Sequence, residues 1–203
     1  MFVLTVDQVD SRHNDDRVAG VLETGRSRWG ASLRLGPDRT AGDEFQALFD
    51  AADAALGASL ELLRTGEWTV GLGVGPVALP LPATTREATG SAFIAARTAI
   101  TAAKRAPHRF AVSAEGAEPA ADAFGALVDL VLEVRSRRST EGWEVSDLLS
   151  GGMTQARIAE RLHISPQAVS LRVRAAGARL EQRAMPALVD LLARLEHEVA
   201  GRP

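Results

Sequence analysis

The chain has no cysteine, which excludes a disulfide framework, a thiol nucleophile and a cysteine-ligated zinc site. Histidine is almost as scarce. His13, His108, His163 and His197 are scattered, and no two of them stand at ligand spacing, so a zinc or redox role is not expected. No run of about 18 apolar residues occurs, and the apolar start at residues 2–6 meets Asp7 too soon for the core of a signal peptide. A soluble, cytoplasmic protein without a membrane partner is expected. Aromatic residues make up only 4%. Even so, 203 residues that are 46% hydrophobic and 24% charged rule out disorder as the main state and allow one real core plus a small appendage. The net charge of −3 conceals an asymmetry: residues 1–134 hold 12 Lys and Arg against 18 Asp and Glu, whereas residues 135–203 hold 11 against 8. Two modules with different partners are implied.

Residues 2–6 form a short apolar run that ends in an acid-rich loop, which reads as a buried strand. Val18, Val21, Leu22 and Trp29 recur at helical spacing. Residues 31–35 and 44–49 flank a Gly-Pro-Asp-rich stretch, as in a hairpin. Residues 50–64 read as an Ala- and Leu-rich helix stopped by Gly66, and residues 68–75 as a strand spaced by glycines. Proline then keeps the chain out of helix until about Ser91. Residues 91–104 read as another Ala-rich helix, and residues 110–112 as a last edge strand. This order predicts an α+β sandwich with a mainly antiparallel sheet and helices on one side. From residue 120 onward no strand pattern remains, so the rest is expected to be helical. The domains expected are residues 1–116, a linker helix at 117–138, a helical module at 139–183 and a C-terminal helix at 184–203. Phe124, Leu127, Val128, Val131 and Val134 make one apolar stripe, and Leu188, Leu191, Leu192, Leu195 and Val199 make another. Either closes the helical domain or pairs two chains.

Residues 153–174, MTQARIAERLHISPQAVSLRVR, are the most informative stretch. Thr154 can cap a helix whose Ile158, Ala159 and Leu162 face inward, and Ala159 is small enough for a second helix to cross closely. His163 and Ile164 make a tight turn that buries Ile164. Ser165 is a good N-cap and Pro166 suits the first helical position, so a second helix starts there, anchored by Val169 and Val173. Its outer face is then Gln167, Ser170, Arg172 and Arg174. Amide and hydroxyl groups can read base edges in a major groove while guanidinium groups hold phosphates. Residues 153–183 carry six Arg and two Glu, a local basic footprint. The segment resembles the helix-turn-helix of bacterial transcription regulators and sigma factors. That resemblance implies double-stranded DNA as partner, Thr154, Gln155, Ser165, Gln167, Ser170, Arg172 and Arg174 as its contacts, and a homodimer reading a two-fold site. His163 stands where glycine is frequent and must accept a left-handed backbone. The plainer alternative is a helical hairpin used for protein packing. Upstream, Arg135, Arg137 and Arg138 read as a solvated helix face or as phosphate contacts.

In the N-terminal module, Asp7 closes the first strand and Gly42-Asp43-Glu44 lies at the hairpin beside it. Carboxylates gathered at strand ends can bind Mg²⁺ together with nucleotide phosphates. Residues 41–45, AGDEF, resemble the signature hairpin of diguanylate cyclases. Residues 7–12 (DQVDSR), 42–46 (GDEFQ), 71–73 (GLG) and 91–97 (SAFIAAR) with Lys104 resemble the SatD-like family over about residues 1–113. This implies a cyclase-like, ferredoxin-like antiparallel sandwich and, as a nucleotide or metal site, Asp7, Asp43, Glu44, Arg97 and Lys104, with Arg12 as a counter-charge. Cyclases of this class use an Asn four residues before the late Arg to orient the ribose, and here that position is Phe93. Lys104, the one lysine in the chain, fits the phosphate-contacting lysine of diguanylate cyclases. No cofactor is certain, and catalysis is not expected. The plainer alternative makes Asp7 a cap, Gly42-Asp43 a turn, and Arg97 and Lys104 a solvated face. Gly71, Gly73 and Gly75 are not a phosphate loop. They alternate within a strand and suit close helix packing or a bulge. The expectation is a DNA-binding regulator with a sensor or assembly domain. The rivals are a nucleotide-processing enzyme with a helical tail and a protein-interaction adaptor.

Overall fold

The computed structural model describes residues 1–201. They form two compact units, one of Met1–Leu127 with the chain from Val189 onward, the other Val128–Leu188.

In the first unit, strands β1 (Phe2–Gln8), β2 (Leu33–Ala41), β3 (Glu44–Phe49), β4 (Trp68–Val74) and β5 (Phe110–Ala114) make one sheet in the order β2-β3-β1-β4-β5. Helix α1 (Val18–Trp29) links β1 to β2, and α2 (Ala52–Leu63) links β3 to β4. Each connection skips over one strand, so two βαβ units interlock and put β1 at the centre. That position explains its unbroken apolar run: Phe2, Val3, Leu4 and Val6 are all buried, each contributing about 1.5–3 kcal/mol.

Three of the four strand pairs are antiparallel, as expected, and two details differ from expectation. The sheet is mixed, because β5 runs parallel to β4 after a crossover through α3 (Ser91–Ala103). A parallel neighbour needs such a long connection, and a short apolar edge run does not reveal its direction. Helices also cover both faces. Side chains alternate across a strand, so Leu48 and Phe49 face opposite ways. Phe49 meets Trp29 of α1 at 6.2 Å between ring centroids, and the Trp29 indole donates to Glu61 of α2 at 3.2 Å. Leu48 instead packs with Val3, Ala92 and Ala96, on the α3 side.

Gly71 and Gly73 let α3 come that close. A Cβ on Gly71 would lie 2.2 Å from the Ile100 nitrogen, and one on Gly73 would lie 2.2 Å from Ala92 O and Ala96 N. Of the two roles expected for these glycines, close helix packing is the one the structure shows.

The second unit is all helical. It takes in the last turns of α4 (Glu118–Ser136) and the first turns of α8 (Ala178–Ala200), with α5 (Thr140–Ser150), α6 (Gln155–Leu162) and α7 (Pro166–Ala175) between them. Ser139 caps α5 by accepting from Gly142 N at 3.2 Å. The expected break near residue 184 is absent, since α8 runs through Pro186 without interruption. The apolar stripes are largely covered within the chain: Phe124, Val128, Val131, Leu188, Leu192, Leu195 and Val199 are buried, which leaves Val134 half-buried and Leu127 and Leu191 exposed. They serve packing, and neither offers the broad free face that pairing two chains requires.

The three arginines upstream are not one solvated face. Arg138 is 2% exposed, donates to Ala176 O at 2.7 Å and pairs with Glu181. The Arg135 and Arg138 guanidiniums lie 5.0 and 4.8 Å from the Trp143 ring centroid. Only Arg137 projects, paired with Glu133 one helical turn back. Among the described residues no helix is long and apolar enough to cross a membrane.

Candidate functional site

The second unit carries the candidate interface. Thr154 accepts a hydrogen bond from Arg157 N at 3.4 Å and starts α6, whose Ile158 and Ala159 are buried. The helix ends at His163, with φ 53° and ψ 42° in the left-handed region. His163 N then donates to Glu160 O at 3.3 Å and Ile164 N to Ala159 O at 3.1 Å, the paired bonds that close a helix around a left-handed residue. Histidine therefore takes the position usually given to glycine. Ser165 accepts from Ala168 N at 3.1 Å, and Pro166 opens α7. Val169 and Val173 join Val145, Ile158 and Ala159 in one cluster, with Leu162 and Ile164 packed against it but only partly buried. Thr154 and Ser165 are thus committed to capping, which orients both helices and leaves their hydroxyl acceptors occupied.

Seen down α7, the face opposite Val169 and Val173 is Gln167, Ser170, Leu171 and Arg174, all exposed. None of the three polar side chains has a hydrogen bond or ion pair among the described residues. Arg172 is displaced from this face. It is half-buried on the flank of α7 that meets α5 and lies 3.7 Å from Glu144. Sequence reasoning missed Leu171, which is 59% exposed in the middle of the polar group. The signal was available in its helical position, one turn after Gln167. Gln155 is half-buried and shares a groove of about 410 Å³ with Ser170 and Arg174. Of the six arginines in residues 153–183, Arg157, Arg161, Arg174, Arg179 and Arg183 have no acidic partner among the described residues. Glu181 is drawn away by Arg138 and Arg135, so the exposed surface is more basic than the composition implies.

In the first unit, Asp7 and Glu44 are cross-strand partners on the α3 side of the sheet. Both are met by cations from α3: Lys104 Nζ lies 2.8 Å from Asp7, and Arg97 lies 2.6 Å from Glu44, which also accepts from Thr40 at 2.7 Å. Asp43 stands apart in the hairpin turn and accepts a hydrogen bond from Ser11. Arg12 forms no ion pair with Asp7 or Asp43, so the expected counter-charge is supplied instead by Lys104 and Arg97, which reach the strand ends from a distant helix. Asp7 caps no helix: α1 opens at Arg17 without a side-chain cap, and Asp16, one residue earlier, accepts from Val18 N at 3.0 Å.

A magnesium ion prefers an octahedral oxygen set with several waters and one or two free carboxylates. Here both carboxylates already hold a cation, and among the described residues no group of three acidic or histidine side chains is placed to hold a metal. The residues as arranged do not fit Mg²⁺. Comparison of the chain with protein-family models, with curated proteins and with solved structures finds no match.

Proposed function

We propose that this chain is a DNA-binding transcription regulator in which α6 and α7 act as a helix-turn-helix and α7 enters the major groove of double-stranded DNA. The observation that carries the reading is the outer face of α7. Gln167, Ser170 and Arg174 are exposed and without hydrogen-bond or ion-pair partners among the described residues, on a helix whose start is fixed by the Ser165 cap and Pro166. Gln167 lies in the first turn, where a recognition helix meets base edges. Ser170 and Leu171 follow, the latter suited to the methyl group of thymine, and Arg174 is placed for phosphate.

The interlocked βαβ order of the first unit, with its Gly-Asp hairpin beside the end of β1, supports a cyclase-like, ferredoxin-like sandwich of the SatD kind acting as a sensor or assembly domain. The two ion pairs on Asp7 and Glu44 weigh against the alternative, a nucleotide-processing enzyme dependent on Mg²⁺. A homodimer belongs to the reading because one helix-turn-helix covers a small site and two copies read a two-fold one. Its interface has to lie elsewhere than on the buried stripes.

The test is selection of bound fragments from a genomic DNA pool, followed by titration at several salt concentrations. An enriched motif is expected, with affinity falling linearly in log-log form as salt rises. Gln167→Ala and Ser170→Ala should relax the preference. Leu171→Ala should remove the penalty for replacing thymine by deoxyuracil at one position. Arg174→Ala should weaken binding to all sequences and lower the salt slope by about one. No salt-dependent affinity for any duplex would refute the proposal.

A further inference from the structure

The groove beside the α7 outer face is not built from α6 and α7 alone. Arg179 and Leu180, in the first turn of α8, line it together with Gln155, Ser170 and Arg174. Gly177 sets their position. It has φ +61°, and a Cβ there would come within 2.5 Å of Val134 Cγ1, so the chain turns between α7 and α8 in a way that only glycine permits without strain. Arg174 and Arg179 therefore open onto the same groove from two helices. Neither has a carboxylate partner among the described residues, and Glu181, the nearest acid in sequence, is held by Arg138 and Arg135. Two guanidiniums facing one concave surface without a counter-charge repel each other, and the arrangement is relieved by a shared anion. Ser170 adds a hydroxyl and Gln155 an amide, both without hydrogen-bond partners among the described residues.

We propose that this groove seats a single phosphodiester of the DNA backbone, clamped by Arg174 from α7 and Arg179 from α8. The first turn of α8, which lies outside the helix-turn-helix, becomes part of the interface. This rests on the reading that α6 and α7 engage duplex DNA. Free inorganic phosphate has the same recognising chemistry, and the experiment separates the two sources.

Wild type, Arg174→Ala, Arg179→Ala and the double variant are titrated with a mixed-sequence duplex over a range of salt concentrations, and in parallel with inorganic phosphate alone. Both arginines are exposed, so unchanged melting curves confirm that each variant folds. One neutralised phosphate contributes about 0.9 to the slope of log affinity against log salt. Each single variant is expected to lose about that much, and the double variant no more, because the phosphate is seated only while both arginines of the clamp hold it. Arg179→Lys should keep the slope while losing part of the affinity, since an ammonium keeps the charge but not the fork. An Arg179→Ala protein that binds duplex like wild type overturns the clamp and leaves the DNA-binding reading standing. A double variant whose slope falls by about twice the single loss places the arginines on separate phosphates and also overturns it. Wild type without salt-dependent duplex affinity sinks both, and if it then binds inorganic phosphate, the groove is a free-anion site.

Discussion

Arg137 and Arg138 are adjacent in sequence and identical in type, and the structure gives them opposite weights. Arg138 is 2% exposed, bonded to Ala176 O and Glu181 and stacked on Trp143, whereas Arg137 is 75% exposed and pairs with Glu133 across one helical turn. Arg138→Ala strips a largely buried carboxylate of its main partner, leaves the Ala176 carbonyl short of a donor and removes a cation from the ring face. Breaking a buried pair in this way costs about 3–5 kcal/mol. Arg135, 3.9 Å from Glu181, retains part of the compensation, so about 3 kcal/mol is expected. For a unit spanning Val128–Leu188, with about 4–8 °C per kcal/mol at that size, its transition should fall by about 12–24 °C. Arg137→Ala should cost under about 0.5 kcal/mol, as exposed pairs one turn apart do. Arg138→Met combined with Glu181→Leu should recover most of the loss, because an apolar pair of similar volume leaves no orphaned charge. Calorimetry of the full chain and urea titration followed by tryptophan fluorescence provide the comparison. Equal losses for Arg137→Ala and Arg138→Ala, or a double variant as weak as Arg138→Ala, would refute the reasoning.

Gly73→Ala should destabilise the first unit by about 1–3 kcal/mol, because the new methyl meets the α3 backbone. Gly20→Ala, at an exposed position in α1 with nothing within 4 Å of its Cβ, should stabilise by about 0.5–1 kcal/mol in the same denaturation assay. Millimolar Mg²⁺ should leave the melt of wild type unmoved, while Lys104→Ala should gain a Mg²⁺-dependent rise, since it frees Asp7. A wild-type rise would show that the ion pairs yield to the metal. The Asp16 carboxyl is held below its ordinary value of 3.8, mainly by hydrogen bonding from Arg39. The stabilisation it supplies is complete above that ordinary value and is lost as pH falls through the lowered one. NMR titration should find the Asp16 midpoint moved upward in Arg39→Ala.

Most elements could be read from the sequence because each carries a local signature. The Thr154 and Ser165 caps, Pro166, and the unbroken apolar run of β1 are decided within a few residues, and the structure places them as read. What could not be read depends on partners far away in the chain. Lys104 reaches Asp7, and Arg97 reaches Glu44, only once α3 has crossed the sheet. Arg138 differs from Arg137 only because Trp143 and Glu181 fold onto one side of α4. The direction of β5 and the two-sided covering of the sheet follow from the crossover through α3, and no residue of β5 records it. At Arg172 the misreading was local: its place on the outer face was assigned by charge, while its angle around the helix sets it beside α5.

The second unit is an insertion, since the chain leaves the first unit within α4 and returns to it within α8. While the first unit stays folded, an unfolded Val128–Leu188 segment is not a free coil but a loop tied at both ends. Its configurational entropy is cut much as a cross-link would cut it. By the chain-entropy relation that restriction amounts to about 4 kcal/mol for a loop of this length. The same sixty-odd residues expressed alone forgo this advantage and also end in cut helices. The helical unit therefore borrows part of its stability from the integrity of the sheet unit, through connectivity alone.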